Sequence, residues 1–166
     1  DPAGDLPTVA LALDATMVAK GPKGTREIAA KDFFVDYFTS ALEPEEILVA
    51  VKVPKLGDGW STHYEKFNRT AQAWATVGVA AAVKRQNGTI TEARVALTNM
   101  GPSPVRASSV EAALAGAAAT TDAIAAAAAN AADGTRPTSD LHASAEFREH
   151  LAKVLTKRAV ATAAGV

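Results

Sequence analysis

Trp74-Ala75-Thr76-Val77-Gly78-Val79-Ala80-Ala81-Ala82-Val83-Lys84-Arg85, the Asn87-Gly88 pair and Ile90-Thr91-Glu92-Ala93-Arg94-Val95-Ala96-Leu97-Thr98-Asn99 together decide the fold. Val77, Val79 and Val83 fall on alternate positions, the period of a strand with one buried face. Asn-Gly is the favoured pair for a primed two-residue turn, because both residues tolerate the positive φ that matches strand twist. The return strand then runs from Ile90 to about Asn99. Upstream, Ser61 to Phe67 reads as a further strand, so the three form an antiparallel meander.

Downstream the character changes. Met100-Gly101-Pro102-Ser103-Pro104 breaks the sheet, and helical patterns follow. Ser108 or Ser109 can cap a helix carrying Val110, Ala113 and Leu114, which Gly116 ends. Asp122 to Ala132, with an unbroken alanine run from Ala125 to Ala129, has high helix propensity and reads as a surface helix. Gly134 and Pro137 interrupt the chain. Ser144 then caps a helix to about Ala163, with Phe147, Leu151, Val154 and Leu155 on one face. Lys153, Lys157 and Arg158 in its later half suit the negative end of the helix dipole. Strands first and helices afterwards predict an α+β fold: a three-stranded antiparallel sheet packed with about three helices.

The residues before Trp60 read as a separate unit. A short helical or looped opening passes Leu11, Leu13 and Met17-Val18 to the turn Lys20-Gly21-Pro22-Lys23-Gly24, with a second extended run at Thr25 to Ile28. Phe33, Phe34, Tyr37 and Phe38 make an aromatic cluster expected to form local core. Leu42-Glu43-Pro44-Glu45-Glu46 is a turn, Ile47 to Val53 is β-rich, and Lys55 to Gly59 marks the boundary.

Composition narrows the chemistry. With no cysteine among 166 residues, the chain itself can build no disulfide, iron–sulfur cluster or thiolate metal site. His63, His142 and His150 match no metal-ligand spacing, and no zinc-protease, nucleophile-elbow or phosphate-loop motif occurs. A net charge of −1 gives no electrostatic reason to expect nucleic acid. No apolar run reaches the ~20 residues of a membrane span, and with no export signal the expected compartment is cytoplasmic. Glu45 and Glu46 are adjacent and diverge, so they make a poor acid–base pair. Arg106 and Glu111 read as structural.

Several strings together resemble the flavin subunits of the molybdenum hydroxylases, the carbon monoxide dehydrogenase and xanthine dehydrogenase family. Asp1-Pro2-Ala3-Gly4-Asp5-Leu6-Pro7 resembles the family's DPxxDLP stretch, and Asp32-Phe33-Phe34, Leu42 to Leu48 and Val53-Pro54 its following blocks. Tyr64-Glu65-Lys66-Phe67, Arg69 to Val77 and Gly78-Val79-Ala80 resemble the start of its C-terminal domain. Pro104-Val105-Arg106-Ala107 with Glu111, Leu114 and Gly116, and Phe147-Arg148 through Leu155 and Arg158, resemble its closing blocks. The resemblance covers nearly the whole chain, in order.

The resemblance implies an α+β domain over residues 57–166, preceded over residues 1–56 by strands left from an FAD-binding subdomain. It implies an FAD-carrying electron-transfer subunit of a multi-subunit oxidoreductase, with iron–sulfur clusters on a small partner subunit and a molybdenum cofactor on a large one. The family's phosphate-cradling loops lie upstream of DPxxDLP, so the chain, which opens on Asp1, is expected to be a fragment without a complete site. Three positions carry over as flavin-side residues. Asp5 would accept hydrogen bonds near the ribityl chain, Leu48 would pack on the isoalloxazine edge, and Lys66 would stabilise negative charge at the pyrimidine end. The segment Arg69 to Ala73, with Gln72, would lie near the ring. Read without the resemblance, Asp5 caps a turn, Leu48 is strand core and Lys66 is an exposed strand lysine. The alternative function is a subunit-docking module that binds no flavin; a further one is a non-catalytic domain whose likeness is only historical.

Overall fold

A computed structural model describes residues 1–166. The chain begins with helix α1 (Asp5–Ala12), then β1 (Thr16–Gly21) and β2 (Gly24–Ala29), a hairpin closed at Pro22-Lys23. A single helical turn, α2 (Ala30–Phe33), leads to the short pair β3 (Phe34–Asp36) and β4 (Thr39–Ser40), and β5 (Ile47–Lys52) returns antiparallel to β1. The first sheet therefore has the order β2-β1-β5. Its small core joins Ala10, Ala15, Met17, Ala19, Ile28, Ala30 and Phe33.

Two expectations change here. The aromatic cluster divides: Phe33 is buried with Phe34 edge-on at 5.2 Å, while Tyr37 and Phe38 are exposed. Phe38 sits in the β3–β4 turn at a φ of 51°, where the backbone reverses and no neighbouring element covers the ring. The β-rich run Ile47–Lys52 is a strand, but every residue in it is exposed. It is an edge strand whose one neighbour is β1, and neither face is covered.

The second sheet contains β6 (Trp60–Phe67), β7 (Val77–Gln86) and β8 (Thr89–Thr98), all antiparallel neighbours, as the hairpin signal requires. Asn87 and Gly88 take φ values of 48° and 77° in the turn. A fourth, two-residue strand, β9 (Val105–Arg106), extends the expected three by pairing with Leu97 and Ala96. The turn through Gly101-Pro102-Ser103-Pro104 folds the chain back along the sheet edge instead of leading it away.

Helices α3 (Ser108–Leu114), α4 (Thr121–Ala128) and α5 (Ala145–Ala164) cover one face of this sheet. Val77, Val79, Ala81 and Val83, the odd positions of β7, join Ile90, Val95 and Leu97 beneath them. The even positions Ala80 and Ala96 meet Leu11 and Ala12 of α1, so the sheet is sandwiched. Ser144 caps α5 through Phe147 N–H, and Gly165 ends it at a φ of 70°.

Other local expectations shift. Neither Ser108 nor Ser109 caps α3; Ala107 occupies that position, and its N–H donates to Val95 O at 2.9 Å. The alanine-rich α4 is a surface helix with one covered face: Ile124, Ala127 and Ala128 are buried toward α5, while Thr121, Asp122 and Ala126 stay exposed. On α5, Leu151 and Leu155 are buried, Phe147 is partly exposed, and Arg148 is buried at 1% exposure.

Candidate functional site

The site grows out of one unsatisfied helix end. Gly4 precedes α1 and offers no side-chain cap. Asp5, in the first turn, directs its carboxylate to the second sheet instead. Its Oδ2 accepts from Lys66 Nζ at 2.7 Å and its Oδ1 from Tyr64 Oη at 2.7 Å. Tyr64 and Lys66 are two apart on β6 and so share a face. A carboxylate oxygen can accept more than one hydrogen bond and an ammonium has three N–H groups. The pair therefore keeps unused capacity on its solvent side, where Asp5 is 37% and Lys66 26% exposed.

Behind the pair runs a chain of hydroxyls. Tyr64 Oη lies 3.1 Å from Thr98 Oγ1, which lies 2.7 Å from Thr8 Oγ1, itself 3.5 Å from Gly4 O. Ionised Asp5 can only accept, so Tyr64 spends its one proton on it. Thr98 Oγ1 donates to Thr8 Oγ1, and Thr8 Oγ1 donates to Gly4 O. The hydroxyls thus tie Tyr64 on β6 through β8 to the start of α1, beside Asp5. Burial pushes the Tyr64 phenol well above its ordinary pKa, and Asp5 pushes it further, against the opposing effect of the Thr98 contact. Tyr64 accordingly stays a donor. Gly78, beside it on β7, is required: a Cβ there would stand 2.5 Å from Tyr64 Oη.

The structure thus brings Asp5 and Lys66 together from 61 positions apart. Leu48 stands elsewhere, on β5 opposite Ala19 of the first sheet and 43% exposed. The core reading of Leu48 fails because β5 is uncovered, and the exposed reading of Lys66 fails because Asp5 half-encloses it. Nothing in the sequence alone marks Tyr64, Thr98, Thr8 or Gly78 strongly as a site residue. Two weak signals existed: Tyr64 sits two before Lys66 on one strand, and Thr8 sits three after Asp5, one helical turn on.

Several other polar groups pair within the fold. Glu46 accepts from Arg26 Nε and Nη2, both at 2.7 Å, and from Glu43 N–H. The Arg26 guanidinium and that N–H hold its carboxyl down at about 2. Arg106 bonds Glu111 with two nitrogens and also reaches Asp14, fastening β9 to α3 and to the end of α1. His63 lies 3.2 Å from Glu65, and no three His, Asp or Glu side chains converge. A cleft of about 270 Å³ opens beside Tyr64, between α1 at Val9 and Leu13 and the strands at Thr62, Ala80 and Ala82. No helix is long and apolar enough to cross a membrane.

Comparison with known proteins agrees along the whole chain. Residues 62–163 match the CO dehydrogenase flavoprotein C-terminal domain, and residues 1–56 match the FAD binding domain in molybdopterin dehydrogenase. The carbon monoxide dehydrogenase medium chain of Hydrogenophaga pseudoflava is 34% identical over 159 residues, 96% of this chain and 55% of that one. The glyceraldehyde dehydrogenase medium chain of Sulfolobus acidocaldarius is also 34% identical, over 96% of this chain and 56% of its own length. Among solved structures, a carbon monoxide dehydrogenase from Hydrogenophaga pseudoflava that lacks the Mo-pyranopterin moiety superposes with a TM-score of 0.94 at 38% identity. That match covers 99% of this chain and 57% of the other. Quinoline 2-oxidoreductase from Pseudomonas putida 86 gives a TM-score of 0.92 at 31% identity, covering 99% and 57%. The chain spans a little over half the length of the relatives it matches. The overall fold is what these solved structures share with it, and the chain belongs to the CO dehydrogenase flavoprotein family, the FAD-binding medium subunits of molybdenum hydroxylases.

Proposed function

We propose that this chain works within the FAD-carrying medium subunit of a molybdenum hydroxylase and that the subunit passes electrons between iron–sulfur clusters and an external acceptor. The clusters would lie on a small partner subunit and the molybdenum cofactor on a large one, in a cytoplasmic assembly. Residues 1–56 would form one side of the flavin site and residues 57–166 the domain that closes it. The observation that carries the reading is the Asp5–Lys66 pair, a carboxylate and an ammonium held 2.7 Å apart with unused hydrogen-bonding capacity.

These groups fit one edge of a flavin. Bound FAD would supply the redox chemistry; the protein's part is binding and orientation. Asp5 would accept hydrogen bonds from ligand hydroxyls, with its rotamer fixed by Tyr64 and Lys66. Lys66 would offer its remaining N–H groups to negative charge on the ligand. Leu48 would give an apolar contact from the first sheet, and its exposure leaves it available for one.

The test joins this chain to the preceding half of the Hydrogenophaga pseudoflava medium chain and measures bound flavin by absorbance. Stoichiometric FAD in the parent and a large loss of affinity in Asp5→Asn with Lys66→Met support the reading. A folded chimera that takes up no FAD, or a double variant that binds as its parent does, refutes it. A docking role without flavin is a second reading, favoured by the uncovered apolar strand β5 and the exposed Tyr37 and Phe38. Co-purification of a flavin-free chain with a cysteine-rich small subunit would select it.

A further inference from the structure

Arg148 is the largest fully buried side chain in the protein. Its guanidinium is divided three ways: Nε donates to Thr138 O at 3.0 Å, Nη2 to Asp140 Oδ2 at 2.7 Å, and Nη1 to Thr76 O. Asp140 is itself pinned by the N–H groups of His142 and Ala143. Asp140 is 42% exposed, so only the guanidinium is fully desolvated, and its three hydrogen bonds offset that cost. An apolar side chain there would leave Asp140 and the carbonyls of Thr138 and Thr76 without this donor. What Arg148 adds is a fixed donor on the carbonyl of Thr76.

Thr76 closes the stem of the segment between β6 and β7, its N–H donating to Phe67 O at 2.8 Å. Residues 68–75 extend from there, starting two positions after Lys66. Arg69 to Gln72 are exposed, and Trp74 is 69% exposed, whereas Ala75 and Thr76 are buried. A second clamp meets the first at this point. Asn99 Nδ2 donates to Ala75 O at 3.0 Å and reaches Thr76 O at 3.4 Å. Its backbone N–H donates in another direction, to Pro2 O at 2.7 Å, in the turn that leads to Asp5. One residue can serve both because Asn99 takes a φ of 61°, which asparagine tolerates better than most side chains.

We propose that Asn99 and Arg148 are positioning residues that lock the 68–75 segment and the Asp5 turn to one node, and so fix the surroundings of the Asp5–Lys66 pair. The clamp stands on the hydrogen bonds alone; its consequence for a flavin rests on the function proposed above. The geometry also supplies a clean perturbation. Asn99→Gly keeps the left-handed backbone and the N–H to Pro2, and deletes only the amide that holds Ala75 and Thr76.

The experiment uses the whole chain in a Trp60→Phe background, which leaves Trp74 as the one tryptophan. Amide hydrogen exchange and Trp74 fluorescence anisotropy are compared for the parent, Asn99→Gly, Arg148→Met and Arg148→Lys. In Asn99→Gly, the Ala73 and Thr76 amides should exchange about tenfold faster, as expected for losing one hydrogen bond, and Trp74 anisotropy should fall. The Val79 and Ala81 amides in the sheet should stay within about twofold. Arg148→Lys should recover part of what Arg148→Met loses. Unchanged segment amides and anisotropy would overturn the proposal, and so would a loss of protection spread evenly over sheet and segment. FAD affinity in the chimera separates the two readings. A segment that loosens without changing FAD affinity leaves the clamp standing and removes its link to the flavin.

Discussion

Replacing Gly78 by alanine tests the hydroxyl chain behind Asp5. The added Cβ would stand 2.5 Å from Tyr64 Oη, 3.2 Å from Tyr64 Cζ and 3.1 Å from Thr98 Oγ1. An ordinary carbon–oxygen contact is roughly 3.4 Å, so the phenol must retreat by about 1 Å. That stretches its 2.7 Å bond to Asp5 beyond hydrogen-bonding range. Losing a bond to a charged acceptor costs about 1.5–3 kcal/mol. Overpacking adds about 1–3 kcal/mol, and the lower chain entropy of alanine returns about 0.5–1 kcal/mol. The net is a destabilisation of about 2–5 kcal/mol, or roughly 5–15 °C in Tm for a chain of this size. Urea and thermal unfolding of Gly78→Ala, Tyr64→Phe and the double variant close a cycle. With the obstructing oxygen gone only the 3.1 Å and 3.2 Å contacts remain, so Gly78→Ala should cost less in the Tyr64→Phe background than in the parent, by about 1.5–3 kcal/mol. Additivity to within about 0.5 kcal/mol would refute the reasoning, because Gly78 would then not be serving the Tyr64 hydroxyl.

Two further outcomes follow from the first sheet. Glu46 is held at about 2, below its ordinary 4.5. Its contribution to stability is therefore fully present above about 4.5 and is lost as the pH falls through about 2. Glu46→Gln should flatten that acid dependence in melts across the window, and a variant with the parent's slope would refute the assignment. Strand β5 offers a free edge and two uncovered apolar faces, so the isolated chain should self-associate as its concentration rises. Val51→Lys should suppress this in sedimentation velocity while changing stability by less than about 0.5 kcal/mol; association that persists would place the contact elsewhere.

Periodicity and turn chemistry made much of the fold legible in the sequence. Alternating valines and Asn87-Gly88 were enough for the β7–β8 hairpin, Ser144 for the start of α5, and the order of strands and helices for the α+β class. Burial was less legible, because a pattern of apolar residues does not say whether anything covers them. Leu48 shows this: β-branched and apolar neighbours make it read as strand core, yet it lies on a bare strand and is 43% exposed. The candidate site was half legible. Likeness to the family picked out Asp5 and Lys66, but their pairing, the Tyr64 hydroxyl chain and the Asn99–Arg148 node join residues far apart in the chain, from 23 positions for Asn99 and Thr76 to 90 for Thr98 and Thr8.

The sequence by itself determined the β6–β8 meander, the first hairpin and the helices that follow the second sheet, since each depends on neighbours within a few residues. Only the tertiary structure decided that Arg148 is buried, that Leu48 is exposed and that Asp5 meets Lys66. Those facts depend on which distant segment comes to lie against each residue, and a carboxylate in the first turn of a helix carries no local sign of the ammonium it will find.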